Sequence, residues 1–157
     1  MKVAVIAAAL SLAAFSANAD DRLIRFDGAI GSQPLRAGGL VNDVRGVAPG
    51  GRPWVISSLR VDIRTDGRIS VDGRGLLIGG GDTVASNANQ SVKATLICTT
   101  ATPPAVPPLI DSIVVPLEAN GDFRIEDEIK LPAECPSPVL LIRNAGGAWF
   151  AAGIPKL

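Results

Sequence analysis

Two stretches of this chain, 54 residues apart, share one pattern: apolar residues at every second position, a three-residue interruption ending in glycine, then alternation again. In the first, Val61 and Ile63 precede Thr65-Asp66-Gly67, and Ile69 and Val71 follow. In the second, Val115 and Leu117 precede Ala119-Asn120-Gly121, and Phe123 and Ile125 follow. Side chains alternate across a strand, so each limb has one face to bury. A two-residue Asp66-Gly67 loop would set Ile63 against Ser70, because a slip of one residue turns every side chain over. A three-residue loop with Gly67 in the left-handed conformation instead pairs Ile63 with Ile69 and Val61 with Val71. On the outer face this register sets Arg60 against Asp72 and Asp62 against Ser70, while Arg64 faces Arg68. It likewise pairs Leu117 with Phe123 and Val115 with Ile125. Pro116, which has no N–H to donate, belongs at an edge. Asp-Gly and Asn-Gly are common hairpin tips, so convergent turn chemistry explains the repetition better than a duplicated unit.

Further strands follow the same logic. Ile24, Phe26, Gly28 and Ile30 alternate with Arg25, Asp27 and Ala29, and Val55 and Leu59 extend the first hairpin backwards. Strands are predicted at 92–98, 139–143 and 148–152, the last two joined across Asn144-Ala145-Gly146-Gly147. Residues 139–142 are apolar at both parities, as in a central strand covered on both faces. Residues 31–53 are rich in Gly and Pro and read as a long excursion with at most a short strand near 40–44. Val84, Ala88 and Val92 have helical spacing, but Ser86, Asn87, Asn89 and Ser91 can bond the local backbone outside a helix, so 82–93 is expected to be mostly loop. Residues 79–81 and 99–108 are linkers. The expected class is all-β: an antiparallel two-sheet β-sandwich of seven or eight strands with one disulfide. Trp54 and Trp149 both lie outside the interval from Cys98 to Cys135, which excludes the immunoglobulin arrangement of Trp and Cys.

Residues 1–19 have the grammar of a secretory signal peptide: Lys2, an apolar run from Val3 to Phe15, and small residues Ala17 and Ala19 before Asp20. The run is shorter than the roughly 20 residues an anchor needs. The expected organisation is therefore a leader, 1–19, and one domain, 20–157, secreted or periplasmic, with no membrane span in the mature chain. In an oxidising compartment Cys98 and Cys135 are expected to form a disulfide. In the loop-entropy description such a bridge is worth about 4 kcal/mol, less any native-state strain.

Counting excludes much chemistry. There is no His and no Tyr, and only two Cys, so histidine triads, histidine metal sites and four-thiolate zinc sites are absent. Fifteen basic and fifteen acidic side chains balance, leaving no broad field for nucleic acid or anionic lipid. Arginines crowd between Arg22 and Arg74, with Arg60, Arg64, Arg68 and Arg74 on one face. Asp62 and Asp72 interrupt that stripe and no aromatic side chains stand among it to stack bases, so no nucleic-acid partner is expected. Asp122, Glu126 and Glu128 share a strand face, with Asp127 on the other. Such carboxylates could ligate Ca2+ or divide acid and base work, although a solvated outer face explains them more simply and no EF-hand spacing is present. Ser91 and Lys93 have the minimum spacing of a Ser-Lys dyad, but a catalytic lysine must be desolvated and this one is expected in water. Gly73-Arg74-Gly75 and Gly79-Gly80-Gly81 lack phosphate-loop spacing. Of the five mature aromatics, Trp54 is expected to be the exposed one.

The sequence thus predicts an exported, non-catalytic binding or structural module, with no cofactor and no metal, whose partner is a protein, a glycan or a small molecule. The candidate surface is Asp122, Glu126, Glu128 and Trp54. The alternatives are a carboxylate-dependent hydrolase or calcium-dependent module on the acidic face, and a carrier of small apolar ligands.

Overall fold

The computed structural model describes residues 21–37, 40–98 and 107–156. The expected leader, and all of the second linker but Pro107 and Pro108, lie outside the described residues. Thirteen strands and no helix occur among the described residues. They are β1 (Arg22–Gly31), β2 (Arg36–Ala37), β3 (Leu40–Val41), β4 (Trp54–Val55), β5 (Ser58–Arg64), β6 (Arg68–Arg74), β7 (Leu77–Ile78), β8 (Ser91–Ile97), β9 (Leu109–Asp111), β10 (Val115–Pro116), β11 (Phe123–Glu128), β12 (Val139–Asn144) and β13 (Trp149–Lys156). Nine of them form one antiparallel sheet in the order β10-β8-β12-β13-β1-β5-β6-β11, with β9 also on β8. The ribbons β2-β3 and β4-β7 stand apart. The all-β antiparallel class and the Cys98–Cys135 disulfide are present. Two separate stacked sheets are not clearly drawn: one sheet curls into a half-barrel, and β10 and β11 approach each other where it nearly meets itself.

The first hairpin has the register that its pattern demands. Val61 pairs with Val71, Ile63 with Ile69, Arg60 with Asp72 and Asp62 with Ser70. Gly67 takes φ +92° and donates its N–H to the Arg64 carbonyl. Leu59, Val61, Ile63, Ile69 and Val71 are all buried in the main core.

The second stretch forms the same turn but not the same hairpin. Gly121 has φ +82° and donates to the Glu118 carbonyl, and Glu118 N–H reaches the Asp122 carbonyl. Beyond that bond the limbs part. Val115 and Pro116 pair with Val92 and Ser91 of β8, and Phe123–Glu128 pairs along β6. The expected pairs Leu117–Phe123 and Val115–Ile125 are therefore replaced. Leu117, Phe123 and Ile125 are still buried, because side-chain parity depends on the strand and not on the identity of its neighbour.

β1 corrects a second expectation. Gly28 has φ +91°, and the β1–β13 register shifts between Phe26 and Ala29. Such a bulge turns the following residues over. Phe26 is fully buried, Ala29 packs against the core, and Ile30, predicted on Phe26's face, is 64% exposed. The predicted strand through Val55 also divides, with β4 separate from β5. Residues 82–90 form turns as expected: Ala88 N–H bonds Ser86 Oγ and Asn89 N–H bonds Asn87 Oδ1.

β12 is covered on both faces. Leu140 and Ile142 join the main core, while Leu141 packs with Ile97, Trp149 and Val47 on the opposite face. The cover is the excursion before β4. Val44 and Val47 pair with each other, and Pro49 bridges Trp149.

Candidate functional site

Trp149 and Phe150 are consecutive, yet they serve different cores. The β12–β13 register shifts here, with Ile142 opposite Ala151 but Arg143 opposite Trp149, so Phe150 is the extra residue of a bulge. Its ring stacks on Trp54, with centroids 3.9 Å apart and planes 16° from parallel. Ser32 clasps the pair from behind: its N–H bonds the Phe150 carbonyl at 2.8 Å, and its carbonyl accepts the Trp54 N–H at 2.9 Å. Gly50 lies against the same rings. A methyl group there would stand 2.8 Å from Phe150 and 3.1 Å from Trp54 Nε1. Only glycine lets the backbone lie this close to the stack.

Trp54 is thus buried, at 3% exposure, and not the exposed aromatic that its Gly-Pro surroundings predicted. It forms one wall of a cleft of about 470 Å³, with Phe150, Gly50, Ile78 and Ala148. Arg52, Ala88, Gln90 and Asn144 complete its rim. The volume falls within the range of small-molecule sites. One lip is the 82–90 loop, where Ala85, Ala88 and Asn89 hold positive φ angles of 62°, 49° and 52°. Non-glycine residues seldom adopt this region, and each costs about 1–2 kcal/mol.

The polar groups of the rim are oriented. Asn144 Nδ2 donates to Gln90 Oε1, and Asn144 Oδ1 accepts the Ala148 N–H. Arg52 Nη1 donates to Thr83 Oγ1 on the lip. Trp54 Nε1–H has no acceptor among the described residues.

The acidic candidates scatter. Asp122 Oδ1 accepts the Gly75 N–H at 3.0 Å, and its other oxygen accepts from Asn120. Glu126 accepts from Ser70 Oγ on the neighbouring strand. Glu128 is exposed at the end of β11. Asp127, on the opposite side, accepts the Ile113 N–H at 2.7 Å and ties β11 across the gap in the half-barrel. Among the described residues no three Asp, Glu or Cys side chains gather as metal ligands.

Around the arginine stripe, aspartates interleave with the cations. Asp62 pairs with Arg22 and Arg25, Asp72 with Arg74 and Arg124, and Asp66 with Arg68. A hollow of about 490 Å³ beside Arg64 and Arg68 also takes in Asp62, Glu126 and Asp127, so its field is mixed.

Lys93 is not the loose lysine that its position predicted. It is 16% exposed and donates to Asp111 Oδ2 at 2.6 Å. Asp111 also accepts from Thr95 Oγ1 at 2.7 Å and Arg143 Nη1 at 3.2 Å. Burial alone would raise the Asp111 pKa. Hydrogen bonds from Lys93 and Thr95, with the charges of Lys93 and Arg143, outweigh burial and hold the carboxyl below its ordinary range. The cluster fastens β9 over β8 and β12, and it takes up the Lys93 ammonium in an ion pair. Sequence reading missed this network and the cleft. One signal was present: Arg143 closes a doubly apolar strand, and a buried charge needs a partner.

No protein-family model, curated protein or solved structure matches the chain.

Proposed function

We propose that this chain is an exported, non-catalytic binding protein that holds a small, largely apolar ligand in the cleft beside Trp54 and Phe150. One observation carries the reading: two stacked aromatic rings, backed by Ser32 and overlaid by Gly50, wall a mainly apolar cleft with a few oriented polar groups at its rim. That is the composition of small-molecule sites. The alternative chemical centres support it by default, since Asp122, Glu126 and Asp127 are engaged separately and Lys93 is ion-paired. The disulfide is compatible with an oxidising compartment, periplasmic or extracellular. On this reading the curled sheet acts as two facing layers of a flattened sandwich, with the excursion before β4 and the 82–90 loop added to frame the cleft.

Calorimetric titration with 2-naphthamide, a neutral flat probe, tests the site. Wild type is expected to bind it, and Ala148→Phe, which fills the cleft from its half-buried wall, is expected to abolish binding without altering the melting temperature. Equal binding by the variant removes the cleft from consideration. Turnover by pure protein on ester, peptide or glycoside substrates would overturn the non-catalytic assignment.

A further inference from the structure

The rim of this cleft is one-sided in charge and in hydrogen-bonding sense. Arg52 is the one charged residue among the described residues that line it, and no carboxylate does. Its guanidinium is exposed and has no acidic partner within ion-pair distance among the described residues. One of its nitrogens is tied to Thr83 Oγ1, which anchors the group at the lip and leaves its other N–H groups open. The two side-chain carbonyl oxygens of the rim are both in use: Gln90 Oε1 accepts from Asn144, and Asn144 Oδ1 accepts from Ala148 N–H.

What remains is an excess of donors. Asn144 Nδ2 carries a second hydrogen, since each amide nitrogen has two. The Trp54 indole N–H is donor only, and it has no acceptor among the described residues. Donors and a lone cation around an apolar cleft fit a group that only accepts and carries negative charge, attached to an apolar body. We infer that the ligand is an amphiphilic monoanion, a carboxylate or sulfonate on a ring or chain, with the anion at Arg52 and the apolar part against Phe150 and Ile78. This rests on the cleft being the binding site.

Three probes of one ring system separate the possibilities: 2-naphthoate, 2-naphthalenesulfonate and neutral 2-naphthamide, titrated into the full chain at neutral pH. At least one anion is expected to bind about tenfold tighter than the amide, the margin of a charge-assisted over a neutral hydrogen bond. Arg52→Gln should erase the margin between anion and amide, and Arg52→Lys should restore part of it. Arg52 is exposed, so neither change threatens folding, and an unaltered melting temperature verifies this. Equal affinity for anions and amide, both blocked by Ala148→Phe, overturns the anion assignment and leaves the cleft standing. An anion preference that survives Arg52→Gln also overturns it. Binding of none of the three overturns the cleft and the anion together.

Discussion

The half-barrel has two unlike flanks. Outside β5, β6 and β11 the surface is charged and paired across strands, Arg60 opposite Asp72 and Asp62 opposite Ser70. Outside β8, β12 and β13 it is divided, with Lys93, Thr95 and Arg143 around Asp111 at one end and Ile97, Leu141 and Trp149 at the other. The first flank meets water directly and has no need of a cover. The second carries apolar side chains outward, so an irregular segment has to lie over them, and that segment goes on to wall the cleft. The hollow of mixed charge lies on the plain flank, and the aromatic cleft lies on the covered one.

The contrast can be broken at its strongest point. Leu141→Ala should cost about 2–5 kcal/mol by urea denaturation, as a core leucine does, although its side chain points away from the main core. A loss near that of a surface residue would mean that the cover does not exclude water. Replacing both Cys98 and Cys135 by serine should cost about 2–4 kcal/mol on the same assay, since the bridge holds the end of β8 to the segment before β12.

Acid offers a finer comparison. Asp111 is held below its ordinary value of 3.8 in the folded protein. Its contribution to stability is therefore complete above that value and is lost as pH falls through the lower folded one. Asp111→Asn should be less stable than wild type at neutral pH, with the difference narrowing in melting curves taken on acidification toward and below pH 4. A constant difference across the series would deny the ion cluster its role.

Two small effects complete the set. Ser32 Oγ is buried with no hydrogen-bond partner among the described residues, so Ser32→Ala should be neutral or stabilising by up to about 1 kcal/mol, because the clasp uses only backbone groups. On the open flank Arg60→Ser should change stability by less than about 0.5 kcal/mol, as exposed charges there do little. Chemical denaturation of each variant beside wild type measures both.

Sequence legibility follows the same division. On the open flank one face is wet, so alternation reports burial directly, and the 61–71 register could be worked out from faces and turn alone. The second stretch shows the limit: its turn was legible from Asn120-Gly121, but which strand each limb joins is decided by the closure of the whole sheet, and no local pattern encodes that. At Gly28 a bulge inverted the parity of Ile30, and glycine in an alternating run hints at such a break without dating it to a residue. The cleft was least legible. Its walls come from residues 50–54, 78, 88–90 and 144–150, and the Gly-Pro signal around Trp54 spoke of a loop without revealing that the loop folds down onto Phe150.

Trp149 sits in the apolar cluster beneath the cover, and Trp54 sits in the main core beside the cleft. With no tyrosine present, ultraviolet emission will follow the surroundings of these two rings alone. An optical melt can thus record loosening around the cleft and its cover while the outward charges of the hairpin remain silent, and a probe of backbone structure, such as far-ultraviolet dichroism, will register when the strands themselves give way.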